Sequence, residues 1–175
     1  MRCDLRVQFV HGLESNPQGV KARLFAEHFD ACTPEMDTHD FEGSIAAQTR
    51  ALEAFDPHVV VGSSYGGAIL IAMIQRGVWR GPTLLLAQAA LRRGLPAELP
   101  EDQDIWLVHG RRDDIIDAED SRVLARCGTP GRVRLIEIDD VHALHTTVED
   151  GRLVGWVEEL GALAANRDSP AASTV

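Results

Sequence analysis

The order of apolar and polar positions divides the chain into short β-rich runs separated by segments with helical spacing. Six runs read as strands: Leu5 to Val10, Ala31 to Met36, Val59 to Gly62, Thr83 to Leu86, Ile105 to Val108 and Val133 to Ile138. Most are too uniformly apolar for a sheet with one wet face, so both faces need cover. The intervening segments supply it. Asn16 or Ser15 can cap a helix that starts at Pro17 and turns Val20, Leu24, Phe25, His28 and Phe29 inward. Ser44 can cap a second, with Ile45, Thr49, Leu52 and Phe55 at helical spacing before Pro57 ends it. Gly66 to Gln75 is apolar almost all round, which predicts a buried helix stopped by Gly77. Further helices are predicted near Asp117 to Arg126 and on the stripe Leu153, Trp156, Val157, Leu160 and Leu163.

Strands that alternate with helices predict βαβ units, hence an α/β fold of three layers around about six mostly parallel strands. The connection from Ala87 to Asp104 holds two prolines and about one helical turn of apolar residues, too little for a cap domain. Residues 1–165 read as one domain and 166–175 as a flexible C-terminal tail.

Composition narrows the partners. Of 175 residues, 45% are hydrophobic and 25% charged, enough to bury a core, and 27 acidic against 17 basic residues give a formal charge of -10. That charge repels polyphosphates and anionic lipid, so neither nucleic acid nor membrane insertion is expected. Cys3, Cys32 and Cys127 stand far apart, without zinc-like spacing or the even number of a disulfide framework. The apolar stretch at the N-terminus is too short for a signal peptide, and the run Ala68 to Ile74 is far below the ~20 residues of a membrane span. These features predict a cytoplasmic protein.

The strongest chemical signal is Gly62-Ser63-Ser64-Tyr65-Gly66, a G-x-S-x-G between the run Val59-Val60-Val61 and a predicted helix. A sharp strand-to-helix turn strains the central serine and lifts its hydroxyl clear of the sheet. A serine hydroxyl needs a base, and the base a group to orient it. Two loops at carboxyl ends of predicted strands offer both: His109-Gly110-Arg111-Arg112-Asp113-Asp114 and Asp139-Asp140-Val141-His142-Ala143-Leu144-His145. Open α/β sheets place ligands at that edge. An oxyanion hole would use the Tyr65 amide and, from the loop His11-Gly12-Leu13-Glu14-Ser15-Asn16-Pro17, the Leu13 amide. The two loops flank the switch point if the first three strands lie in the spatial order second, first, third.

In these features the sequence resembles the α/β-hydrolase superfamily, and more narrowly the small, lid-less bacterial YqiA-type esterases. The residues that carry the likeness are His11 to Pro17 with Lys21-Ala22, Gly62 to Gly67, His109-Gly110 with Asp113, and His142. The resemblance spans residues 5 to about 165 and implies a three-layer hydrolase fold without a cap domain. It also implies Ser64 as nucleophile, Asp113 as orienting acid, His142 as base and the Leu13 and Tyr65 amides as oxyanion donors. Such esterases often carry an aromatic residue where Leu13 stands and a leucine where Tyr65 stands.

Competing readings exist for several residues. Asp114 and Asp117 suit a turn or a helix cap as well as Asp113 does, and the offset after His109-Gly110 favours Asp113. His145 competes with His142, which is nearer the strand end. His11 and His109 read as hydrogen-bonded structural residues, and Arg92 and Arg93 as exposed arginines that could meet an acidic substrate group. Asp37, His39 and Asp40 have ligand chemistry but no third cluster, so no metal and no cofactor is expected. The sequence therefore predicts a serine hydrolase that cleaves short-chain esters or thioesters of a small-molecule acyl substrate. A silent binding protein of the same fold is the alternative, and the oligomeric state is left open.

Overall fold

The structure is a computed structural model and describes residues 3–168. Six strands, β1 (Cys3–Val10), β2 (Phe29–Cys32), β3 (Val59–Ser63), β4 (Thr83–Leu86), β5 (Ile105–Gly110) and β6 (Val133–Ile138), form one sheet in the order β2-β1-β3-β4-β5-β6. Every pairing is parallel, with Val10 beside Gly62, Ser63 beside Leu86, and Gly110 beside Ile138. All the loops that leave the carboxyl ends of the strands therefore gather at one edge.

The uniformly apolar strands do what their composition predicts and send alternate side chains to opposite helical layers. Val60, Leu85, Ile105 and Leu107 pack with α2 (Phe41–Phe55), α3 (Tyr65–Gln75) and α4 (Ala118–Arg126). Val7, Phe9, Val59, Val61, Leu84, Leu86, Trp106 and Val108 pack with α1 (Val20–His28) and α6 (Arg152–Asp168). In α3 every residue from Tyr65 to Ile74 is buried. A short α5 (His145–Glu149) precedes α6 and was not anticipated. Between β4 and β5 the chain makes only a 3-10 turn at Leu91–Arg93, and no cap domain stands over the described residues. No helix is long and apolar enough to cross a membrane among them.

Several boundaries differ from the sequence expectation, and those of α1, β2 and α2 have a local reason. Helix α1 starts at Val20 rather than Pro17, because the Gln18 amide donates to the Asn16 side chain and the Gly19 amide to the Asn16 carbonyl, closing a turn first. Its apolar stripe is accordingly narrower: Val20 and His28 are exposed, while Phe29 leaves the helix and opens β2 with its ring fully buried. β2 ends at Cys32 rather than Met36, since Pro34 has no N–H to give to the ladder. Asp40, not Ser44, caps α2 by accepting from the Gly43 amide. Ser44 lies inside that helix, fully buried, its hydroxyl donating to the Asp37 carbonyl and meeting the Tyr65 hydroxyl at 3.2 Å. Helix α6 runs through Asp168, so 166–168 are helical; the rest of the expected tail, 169–175, lies outside the described residues.

The close approach of α3 to β1 depends on Gly66, where a Cβ would overlap the carbonyl oxygens of Val10 and His11. Gly66→Ala should lower the unfolding free energy by about 3 kcal/mol or more, read from urea denaturation. A wild-type midpoint would show that this packing is looser than described.

Candidate active site

Ser64 follows directly on β3 and stands at φ 54°, ψ -115°, backbone space that a side chain rarely enters. Three hydrogen bonds hold it there: its amide donates to the Leu86 carbonyl (2.8 Å), and its carbonyl accepts from Ala68 (3.2 Å) and Ala89 (3.1 Å). Gly62 makes the turn sterically possible, since a Cβ on it would come within 2.8 Å of the Gly66 carbonyl oxygen. The serine hydroxyl thereby projects from the carboxyl edge of the sheet.

His142 meets it there. Its Nε2 lies 2.9 Å from Ser64 Oγ and its Nδ1 lies 2.8 Å from Asp113 Oδ2. Asp113 Oδ1 accepts from the backbone amides of Ile115 and Ile116, each at 2.9 Å, and Oδ2 also faces His109 Nε2 at 3.1 Å. The Asp113 side chain has no exposed surface, so this ring of donors replaces water around its charge. The competing residues lie elsewhere. Asp117 caps α4 through the Glu119 amide, Asp114 is exposed, and His145 is exposed at the start of α5.

Of the two amides expected as a pair, that of Tyr65 follows Ser64 at the start of α3 and that of Leu13 is on the loop after β1, the strand beside β3, and neither has an acceptor among the described residues. A buried histidine orients the Leu13 amide. His11 Nδ1–H donates to the Gly12 carbonyl (2.9 Å), which also accepts from the Ser15 amide (3.3 Å). In a trans peptide C=O and N–H point in opposite directions, so fixing the Gly12 carbonyl turns the Leu13 N–H the other way. Tyr65 is anchored by its side chain, which is buried edge-on to Phe41 at 6.0 Å, with the Arg93 guanidinium 4.7 Å from its ring centroid. Arg93 thus serves Tyr65 and Arg92 pairs with Asp120 (3.1 Å), and both are exposed, as the sequence reading takes them to be.

The loop that carries His142 is tied down from two directions that sequence reasoning passed over. Lys21 of α1 donates to the Ala143 carbonyl at 2.7 Å. Burial pushes its ammonium below the usual range, against the pull of Asp140. Asp140 accepts from the Val141 amide (2.7 Å) and from the amide (2.9 Å) and hydroxyl (2.7 Å) of Thr146. Burial raises its pKa, but these donors and the nearby His145 outweigh it and leave the carboxyl below the ordinary range. Both signals were present in sequence, Lys21 in the resembling segment and Asp140 beside His142, but neither lysine nor aspartate at a loop declares its partner.

A cavity of about 430 Å³ opens beside Ser64 and His142. Its apolar lining includes Phe9, Leu13, Val20, Ile115 and Val148, of which Leu13, Val20 and Ile115 are 50%, 54% and 56% exposed. A larger cleft of about 610 Å³, beyond the Leu13 to Pro17 loop, is lined by neither Ser64 nor His142. Among the described residues no cluster of three His, Cys, Asp or Glu side chains could hold a metal; Asp37 and Asp40 are engaged as backbone acceptors at a turn and a cap. The thiol of Cys32 is pushed up to about 11 by burial and by Asp30, far from nucleophilic use.

Two stability measurements probe this geometry. Strain at Ser64 of ~1–3 kcal/mol exceeds the entropic cost of glycine, ~0.5–1 kcal/mol, so Ser64→Gly should stabilise the fold by about 1 kcal/mol in urea unfolding. A destabilised variant would mean the turn is relaxed. Because Asp140 titrates lower folded than unfolded, its contribution is complete above the ordinary aspartate value of ~3.9 and disappears as pH falls through the folded value. The stability gap between wild type and Asp140→Asn should therefore stay constant at neutral pH and close in acid; a gap that widens in acid would reverse the assignment.

No protein-family model matches the chain, and no curated protein matches it. Solved structures do. Alpha/beta hydrolase domain-containing protein 10 from mouse superimposes with a TM-score of 0.72 at 17% identity, over 89% of this chain and 88% of that one. An alpha/beta hydrolase enzyme from the sediment metagenome of the Mar Chica lagoon, Morocco, gives 0.71 at 15% identity, over 90% and 92%. The esterase domain of a Rhodothermus marinus protein gives 0.62 at 17% identity, over 91% and 85%. With its parallel sheet, its strand order and its strained serine after β3, the chain has the α/β-hydrolase fold.

Proposed function

We propose that the protein is a serine hydrolase that cleaves short-chain carboxylic esters or thioesters through an acyl-enzyme. The observation that carries this reading is the continuous line of contacts from Ser64 Oγ through the His142 ring to the buried Asp113 carboxylate, at 2.9 and 2.8 Å. In that arrangement the Asp113 carboxylate holds the proton of His142 on Nδ1, leaving Nε2 bare to accept one from Ser64. The Ser64 oxygen attacks the acyl carbonyl as His142 takes its proton. The Leu13 and Tyr65 amides bind the developing oxyanion, a contribution of ~2.7–4 kcal/mol per donor. His142 then protonates the leaving alcohol or thiol, and water repeats the sequence on the acyl-enzyme. A serine at this turn favours acyl transfer, since dehalogenases and epoxide hydrolases need a carboxylate there.

The acyl group fits against the half-exposed Leu13, Val20 and Ile115, an apolar rim otherwise costly to leave in water. A cavity of about 430 Å³ with no cap above it suits short chains better than lipids.

A fluorophosphonate probe should label the folded wild type and leave Ser64→Ala unlabelled; an unlabelled wild type would favour a silent binding protein. With p-nitrophenyl butyrate, His142→Ala and Asp113→Asn should each lose about 10⁴-fold in turnover, and His145→Ala less than tenfold. Loss confined to His145→Ala would move the base.

A further inference from the structure

Behind Asp113, on the side away from His142, a second line of polar side chains runs through the interior. Gln88 follows β4, His109 is on β5 and Ser121 on α4, and all three have no exposed surface. Polar groups this deep must pair, and the pairs here fix the direction of every proton. The Ala90 amide donates to Gln88 Oε1 at 2.8 Å, which sets the orientation of that side-chain amide. Gln88 Nε2 then donates to Ser121 Oγ at 3.1 Å. Ser121 Oγ in turn lies 2.7 Å from His109 Nδ1, which a neutral ring with its proton on Nε2 leaves free to accept the Ser121 proton. At the far edge of the ring, Nε2 lies 2.9 Å from the Ile116 carbonyl, which can only accept, and 3.1 Å from Asp113 Oδ2. The proton of His109 is therefore on Nε2, and its Nδ1 is bare.

We propose that His109, held as the neutral Nε2–H tautomer between the Ile116 carbonyl on one side and the Ser121 hydroxyl on the other, is a positioning residue for Asp113. Its Nε2–H donates to the Ile116 carbonyl and stands 3.1 Å from Oδ2, so the ring seats the Asp113 to Ile116 turn, and with it the carboxylate, against His142 Nδ1, taking no part in proton transfer. The backbone amides of Ile115 and Ile116 hold only Oδ1. Without the Ser121 hydroxyl, Nδ1 loses its hydrogen-bond partner and the ring is free to turn, carrying its Nε2–H away from the Ile116 carbonyl and Oδ2. The turn that carries Asp113 would then lose its seat, and the carboxylate its line with His142. The kinetic consequence rests on the esterase reading; the tautomer does not.

Long-range ¹H–¹⁵N correlation spectra of the labelled full chain, without substrate, read the tautomer directly, with the His109 signals assigned by their loss in His109→Gln. The expected pattern is a protonated Nε2 and a bare Nδ1. An Nδ1–H tautomer or an imidazolium overturns the proposal. In Ser121→Ala the proton should stay on Nε2 but its signal should shift as the ring leaves its seat, with kcat on p-nitrophenyl butyrate and the rate of fluorophosphonate labelling both about tenfold lower, KM within about twofold, and Ser121→Thr restoring them. A shifted Nε2–H signal with kcat unchanged overturns it equally. A wild type that neither turns over esters nor labels defeats the esterase reading instead, and the spectra tell the two failures apart.

Discussion

At φ 54° Ser64 occupies a backbone conformation that costs ~1–3 kcal/mol, and the rest of the site is arranged around keeping it there. The strain persists because both neighbouring strands and the following helix constrain it at once: Leu86 and Ala89 bind its peptide groups from β4 and beyond, and Ala68 from the first turn of α3. The packing of α3 against β1 through Gly66 completes the clamp. A serine in a relaxed turn would point its hydroxyl along the surface. Here it stands at the carboxyl edge of the sheet, where the β1, β3, β5 and β6 loops converge.

Charge is managed on the opposite side of the site. Asp113 is buried without a cationic partner of fixed charge among the described residues, and its stability as an anion depends on donors from Ile115, Ile116 and His142, with His109 Nε2 3.1 Å away. Each donor belongs to a segment that is itself tethered, His142 through Lys21 and Asp140, His109 through Ser121. The site is thus built less from flexible loops than from loops pinned at their bases by buried polar groups, which suits a reaction that needs its atoms held within a fraction of an ångström.

Much of this architecture was legible in sequence, and the exceptions have physical causes. Thr83–Leu86 and Val133–Ile138 were read with their exact bounds because turn residues bracket dense apolar runs. The strand at Phe29 was misjudged because an aromatic residue at helical spacing from Phe25 also suits a strand, and only tertiary packing decides. Ser44 looked like a cap, but Asp40 lies on the correct side of Phe41 and Ser44 was needed inside, against Tyr65. Ser64, Asp113 and His142, chosen by their places after strands, lie together in space. Their support could not be read in the same way. Lys21, Gln88 and Ser121 are separated from their partners by 122, 33 and 12 residues respectively, and no local pattern marks such pairings.

The central claim is a covalent one, that an acyl group passes from substrate to Ser64 before water removes it. Acid-quenched samples taken during turnover of p-nitrophenyl butyrate, digested and examined by mass spectrometry, test it most directly. A butyryl mass on the peptide that carries Ser64, rising to a steady level and decaying when ester is exhausted, is the predicted result. Sustained turnover with that peptide unmodified at every time point, or with the acyl group on another residue, would contradict it.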